Sequence, residues 1–241
     1  MTDTVVILGA GAPNGLGGAL ARRFSREGLH VILSGRTLAK VEETASQVNA
    51  GGGSCEAMQV DVISASDQDA LFAAATAKGK IAAVLYNAGN NAVIPFEELS
   101  AEQFEHFWRV GCFGAFLTAQ RAMPLMREQG EGSIIFTGAT GSIRGAPNFA
   151  HFASSKAALR NLVQALARDY GPKGVHVAHI IIDGVINGQR AKDGFREYLD
   201  SLGPDGTLEP DDIAETFWAV HSQPRSTWTH ELDLRPFKEK W

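Results

Sequence analysis

Short apolar runs alternate along the chain with longer stretches in which apolar residues return every three or four positions. That is the pattern of repeated β-α units, which close a parallel sheet and cover both of its faces with helices. The runs predict strands over 5–8, 31–34, 56–60, 81–86, 133–137, 175–182 and 231–234, and seven such strands fit one doubly wound sheet. Leu16, Ala19, Leu20 and Phe24 share one helical face with Arg22, Arg23 and Arg26 opposite, so the first helix packs on that sheet. Further helices are predicted over 38–50, 66–77, 101–127, 150–170 and 210–221. Ser100 followed three residues later by Gln103 matches a capping box, and Pro210 after Glu209 suits a first helical turn.

No interdomain linker or internal repeat interrupts this alternation, so residues 1–241 read as a single α/β domain. A content of 44% hydrophobic and 20% charged residues is the balance of a folded globular protein. The net charge of −5 comes without a long basic run, which argues against nucleic acid as a partner and means that an anionic ligand must be held locally. Cys55 and Cys112 form no CxxC pair and have no histidine at ligand spacing, so neither a disulfide framework nor a metal site is expected; both read as buried reduced thiols. The opening MTDTVVILGAG enters a strand pattern without a basic, cleavable apolar segment, and no stretch approaches ~20 apolar residues. A cytoplasmic protein without a membrane partner is the expectation.

The segment VVILGAGAPNGLGGAL places Gly11, Gly15 and Gly17 between the first strand and the first amphipathic helix. Glycines there let the backbone turn tightly, approach a pyrophosphate, and offer helix N-terminal amides to its charge. Position in the first β-α unit is what raises this motif above a plain glycine-rich turn.

The loop resembles the TGxxxGxG loop of the short-chain dehydrogenase/reductase family, with Ala10 in the threonine place. Asp61 after the third strand, Tyr86-Asn87-Ala88-Gly89 where that family has NNAG, and Lys156 on a long helix extend the resemblance over nearly the whole chain. It implies a Rossmann-type sheet with helices on both faces. It also implies a nicotinamide dinucleotide held by Gly11, Asn14, Gly15, Leu16 and Gly17, by Asp61 and Val62 at the adenine, by Asn87, Ala88 and Gly89 along the cofactor, and by Lys156 at the nicotinamide ribose. In LSGRT, Gly35 stands where NAD-preferring relatives carry an aspartate, and Arg36 follows. A guanidinium can grip a 2′-phosphate that an acid would repel, which points to NADP(H) rather than NAD(H).

Against the family's Asn-Ser-Tyr-Lys pattern the chain departs in three places. The YxxxK motif is Phe152-Ala153-Ser154-Ser155-Lys156, Ala139 stands at the serine position, and Gly111 replaces the asparagine of VNxxG. Phe and Ala have no dissociable proton, so the family's general acid/base, worth ~10²–10⁴-fold, must come from elsewhere. Thr140, Ser142, His151 and Ser154 are the neighbouring candidates; His151 titrates near neutrality but lies ~100° around the helix from Phe152. After the sixth strand Asp183-Gly184 and Gly188 replace the family's Pro-Gly and threonine, with Gly184 and Ile186 still expected at the cofactor.

The segment 188–206 reads as the substrate loop, with Phe195, Tyr198 and Leu199 either an apolar lid or plain packing. Three functions fit these residues: an NADP(H)-dependent oxidoreductase with an altered proton donor acting on a small carbonyl, alcohol or conjugated substrate, a dinucleotide-binding or regulatory protein without turnover, and a non-redox lyase or isomerase. The surplus of apolar residues on 101–127 and 150–170, together with the C-terminal LDLRPFKEKW, implies a homodimer or homotetramer by the same resemblance.

Overall fold

A computed structural model describes residues 2–89 and 91–239. Among them seven strands form one parallel sheet: β1 Thr4–Leu8, β2 His30–Gly35, β3 Ser54–Gln59, β4 Ile81–Tyr86, β5 Ser133–Thr137, β6 His176–Ile182 and β7 Glu231–Leu234, in the order β3-β2-β1-β4-β5-β6-β7. β1, β5 and β6 are buried along their whole length, as strands covered on both faces must be. The chain reverses its winding between β1 and β4, and in such sheets ligands sit beyond the carboxyl ends of the strands at that switch point.

Helices α1 Leu16–Arg26, α2 Leu38–Ala50 and α9 Pro210–His221 cover one face, where Phe24, Val41 and Phe217 join Ile7 and Leu33 in one core. Helices α3 Ala65–Lys78, α5 Gly114–Gln129 and α6 Ala150–Tyr170 cover the other, with Leu71, Ala119 and Leu159 packed on Val84 and Phe136. Ser64 caps α3 by accepting from the Asp67 amide, and Ser100 and Gln103 close the expected capping box on α4, Ala101–Trp108. Cys55 and Cys112 are buried and unpaired. No described helix is long and apolar enough to cross a membrane, and no cluster of metal-ligating side chains occurs among the described residues.

One expectation is corrected. The single helix over 101–127 is broken by a π-helical turn at Arg109–Phe113 between α4 and α5. Glycine supplies the reason. A Cβ at Gly111 would lie 1.8 Å from Ser155 Oγ and one at Gly114 2.5 Å from Tyr86 Oη, so no side chain fits at either place without movement of its neighbour. The buried Tyr86 hydroxyl uses that space to donate to the Val110 carbonyl at 2.5 Å, tying the wide turn to β4. The segment 188–206, read as the substrate loop, holds two short helices, α7 Gln189–Gly194 and α8 Arg196–Leu202. At the C-terminus, Lys240 and Trp241 of the segment expected to extend subunit contacts lie outside the described residues.

Candidate functional site

Because the strands are parallel, the turns that follow β1 to β6 all open at one edge of the sheet. That edge gathers Gly9 to Gly17, Arg36, Asp61, Asn87 to Gly89, Ala139 to Ser142 and Asp183 to Ile186 around the β1–β4 switch point.

One strict requirement there falls on Gly9, a residue that motif spacing did not single out. Its φ is +97°, and a Cβ would come within 2.4 Å of the Ala88 amide nitrogen, so only glycine lets the first turn pass under the β4 turn. The Asn87 amide nitrogen Nδ2 donates to the Gly9 carbonyl at 2.9 Å, and Thr137 Oγ1 donates to Asn87 Oδ1 at 3.1 Å, which locks three strand ends together. Gly17 and Gly18 are close-packed, with Cβ positions 2.8 Å from Ala10 Cα and 2.2 Å from the Pro13 carbonyl oxygen. At Gly11, by contrast, a Cβ would meet nothing within 4 Å. The loop therefore has one glycine that faces open space and others that pack helix to strand, the division a pyrophosphate cradle requires. Leu16 and Val62 point into the two cores, so any contact they make with a nucleotide is through their backbone. Asn14 binds Gln189 Oε1 at 2.7 Å across the loop.

Arg36 is exposed at the end of β2, beyond Gly35. A Cβ on Gly35 would stand 2.2 Å from the Ala10 carbonyl oxygen, so the packing of β2 against the first turn itself excludes an acidic side chain from this position. Asp61 accepts from the Ile63 amide through Oδ1 and shapes the turn after β3. Gly184, at φ +152°, lies against Pro236, and Ile186 pairs with Leu208.

Lys156 is 5% exposed and donates from Nζ to the Thr137 carbonyl at 2.7 Å. Burial draws its pKa down to about 8. Its ammonium stands 5.9 Å from the centre of the Phe152 ring and 3.5 Å from where a Gly89 Cβ would be, so the site brings together Lys156, Phe152 and the β4 turn. The Phe152 ring in turn lies against Gly141 in the turn that carries Ala139.

Three of the four candidate substitutes for a proton donor are already engaged. Thr140 donates to Asp183 at 2.7 Å; Asp183 is fully buried and also takes Arg144 at 2.9 Å and Arg235 at 3.3 Å. Ser142 accepts from the Ala139 amide at 3.1 Å and lies 3.5 Å from His179 Nε2. Ser154 turns back onto the Ala150 carbonyl of its own helix. His151 is fully buried with its ring 4.1 Å from that of Phe107; burial lowers its pKa, the Ala92 backbone offsets this in part, and neither ring nitrogen makes a hydrogen bond of good geometry among the described residues. Its place one residue off the Phe152 face packs it against Phe107.

Two features of the site carry no sequence signal. His179 Nδ1 lies 2.9 Å from Glu231, which Arg160 grips at 2.6 and 2.7 Å. Arg160 and, secondarily, His179 hold the Glu231 carboxyl down at about 2, while burial keeps His179 neutral with a pKa of about 4. Arg190 Nη2 donates to the Asn91 carbonyl at 2.6 Å and Nη1 to that of Gly89 at 3.3 Å, crossing the edge from the β6 side to the β4 turn. Two surface concavities, of about 320 and 370 Å³, lie around α8 and α9, and Lys156 lines neither.

Comparison with known proteins bears on the fold. A family model described as short chain dehydrogenase matches residues 3–196. The chain is 31% identical over 198 residues to the oxidoreductase asL5 of Sarocladium schorii, covering 82% of this chain and 78% of that one. It superposes with a TM-score of 0.84 on a short-chain dehydrogenase from Rhodopseudomonas palustris, at 32% identity and with 98% of this chain and 99% of that one covered. A TM-score of 0.85 relates it to a putative NAD(P) dependent gluconate 5-dehydrogenase from Beutenbergia cavernae with bound NADP, at 26% identity and over 96% and 94% of the two chains.

Proposed function

Because the chain belongs to the short chain dehydrogenase family, we propose that it is an NADP(H)-dependent oxidoreductase that acts on a small carbonyl, alcohol or conjugated substrate with an altered proton source. Lys156 carries this reading. It is a buried ammonium beside the β4 turn, and the residues matched to the family's tyrosine, serine and asparagine are Phe152, Ala139 and Gly111. A protein that had only lost chemistry would have no need to keep a charge that burial disfavours.

The cradle fits a dinucleotide. Gly11 leaves the floor open, the α1 N-terminus offers amides to a diphosphate, and Arg36, exposed after β2, would supply the cation that a 2′-phosphate needs. The NADP in the gluconate 5-dehydrogenase relative supports the choice of the phosphorylated cofactor. When bound, the nicotinamide supplies or accepts the hydride. Lys156 would then do two things: its ammonium has N–H donors beyond the one spent on the Thr137 carbonyl with which to bond the nicotinamide ribose, and its Nζ holds a proton that it can give up near pH 8. Thr140 is spent on Asp183 and Phe152 has no proton, so Lys156 is the group of this pocket suited to proton transfer near neutrality.

Mixing the protein with NADPH and a panel of aldehydes, ketones and conjugated enones tests the proposal. We expect NADPH oxidation matched by reduced product for at least one class. Tight NADPH binding with no oxidation across the panel would favour the dinucleotide-binding reading, which the loss of the phenol and hydroxyl supports. Product formed without change in the cofactor would indicate a lyase or isomerase.

A further inference from the structure

We propose that Arg190 is a second cation of the dinucleotide site, a latch that rests on the β4 turn and passes to the cofactor's diphosphate when the nucleotide enters. The inference rests on the cofactor reading above. Among the described residues Arg190 forms no ion pair; its recorded partners are the backbone carbonyls of Gly89 and Asn91. Those carbonyls belong to the turn that closes one side of the cleft, while its neighbour Gln189 binds Asn14 on the glycine loop that closes the other. Residues 189 and 190 thus bridge both walls at the level of the open cradle over Gly11.

Electrostatics points the same way. Burial and, secondarily, the like charge of Arg36 hold Arg190 below the ordinary guanidinium range, so Arg36 after β2 and Arg190 on α7 lie near enough to repel each other. Like charges converge at a cost unless an anion lies between them. Neutral carbonyls satisfy a guanidinium only weakly, whereas a phosphate takes it through paired charge-assisted hydrogen bonds about twice as strong, so exchange of the resting contacts for a diphosphate is favourable. The diphosphate, not the 2′-phosphate, is the assigned target, because residue 189 is tied to the glycine loop and Arg36 already serves the adenosine end.

Calorimetry with NADPH, NADH and ADP on the whole chain separates the possibilities, since all three ligands share the diphosphate and only NADPH has the extra phosphate. Arg190→Ala should weaken all three by about tenfold, equivalent to about 1.4 kcal/mol, with Arg190→Lys between it and wild type. Arg36→Ala should weaken NADPH alone. The Arg190 guanidinium is half-buried against the β4 turn and makes no ion pair among the described residues, so the variants should melt close to wild type; if Arg190→Ala does not fold, Arg190→Gln replaces it in the comparison. Unchanged or tighter binding of all three ligands by Arg190→Ala overturns the proposal, as does a loss confined to NADPH. Wild type that binds none of the three overturns the cofactor reading and this proposal together.

Discussion

Lys156 makes the energetics of the site measurable without a substrate. A lysine that ordinarily titrates near 10.5 is held at about 8 by burial, so folding disfavours its charged form by about 3 kcal/mol. Below about pH 8 the folded and unfolded states both carry the proton and the full penalty is present. Between about 8 and 10.5 the folded state has released the proton while the unfolded state retains it, so stability rises with pH across that window. Replacing Lys156 by Met removes this dependence; it also strips the Thr137 carbonyl of its donor, a cost of about 1–3 kcal/mol. At pH 7 the variant should therefore be as stable as wild type or more stable by about 1–2 kcal/mol. Urea unfolding of both proteins from pH 7 to 10 provides the assay. The stability of wild type relative to Lys156→Met should climb by about 2 kcal/mol over that range. A flat difference curve would mean that Lys156 keeps an ordinary pKa, and the role proposed for it as a proton source near neutrality would fall with it.

The same site yields three shorter predictions. Calorimetry should find NADPH bound more tightly than NADH, with most of that preference lost in Arg36→Ala; equal affinities in wild type would remove the 2′-phosphate role of Arg36. The double change Ala139→Ser and Phe152→Tyr should raise carbonyl reduction by about 10²-fold if a placed acid is what the pocket lacks, and NADPH oxidation rates will show whether it does. Gly111→Asn should be kept out of that variant, because its side chain would displace the Ser155 hydroxyl from the Phe107 carbonyl. Phe104, Trp108 and Phe116 are each more than a third exposed along α4 and α5, and light scattering should report at least a dimer; a monomer at micromolar concentration would refute the subunit contact.

What the sequence disclosed and what it concealed divide along contact distance. Apolar periodicity is a local property, and it located β4, β5, β7, α2, α6 and α9 to the residue because each buries a stripe dictated by its own pitch. The capping box at Ser100 is equally local and was equally legible. The π-helical turn was not, because its cause is the Tyr86 hydroxyl arriving from β4 and the Ser155 hydroxyl arriving from α6, neither visible in the run 101–127. Gly9 escaped notice for the same reason: nothing in the motif reveals that the Ala88 backbone crosses it. Gly35 shows the converse hazard. Its spacing read as a statement about the cofactor, yet the Ala10 carbonyl forbids any side chain there, so the missing acid follows from packing before it follows from ligand choice. Arg36 then remains as the residue on which the choice of phosphate can be argued. Arg190 completes the case, since its carbonyl partners lie 99 and 101 positions away in the chain. Motif spacing identifies the residues that a ligand demands of one loop. A cation that a distant turn would deliver to such a ligand becomes visible only when the sheet has placed the two turns side by side.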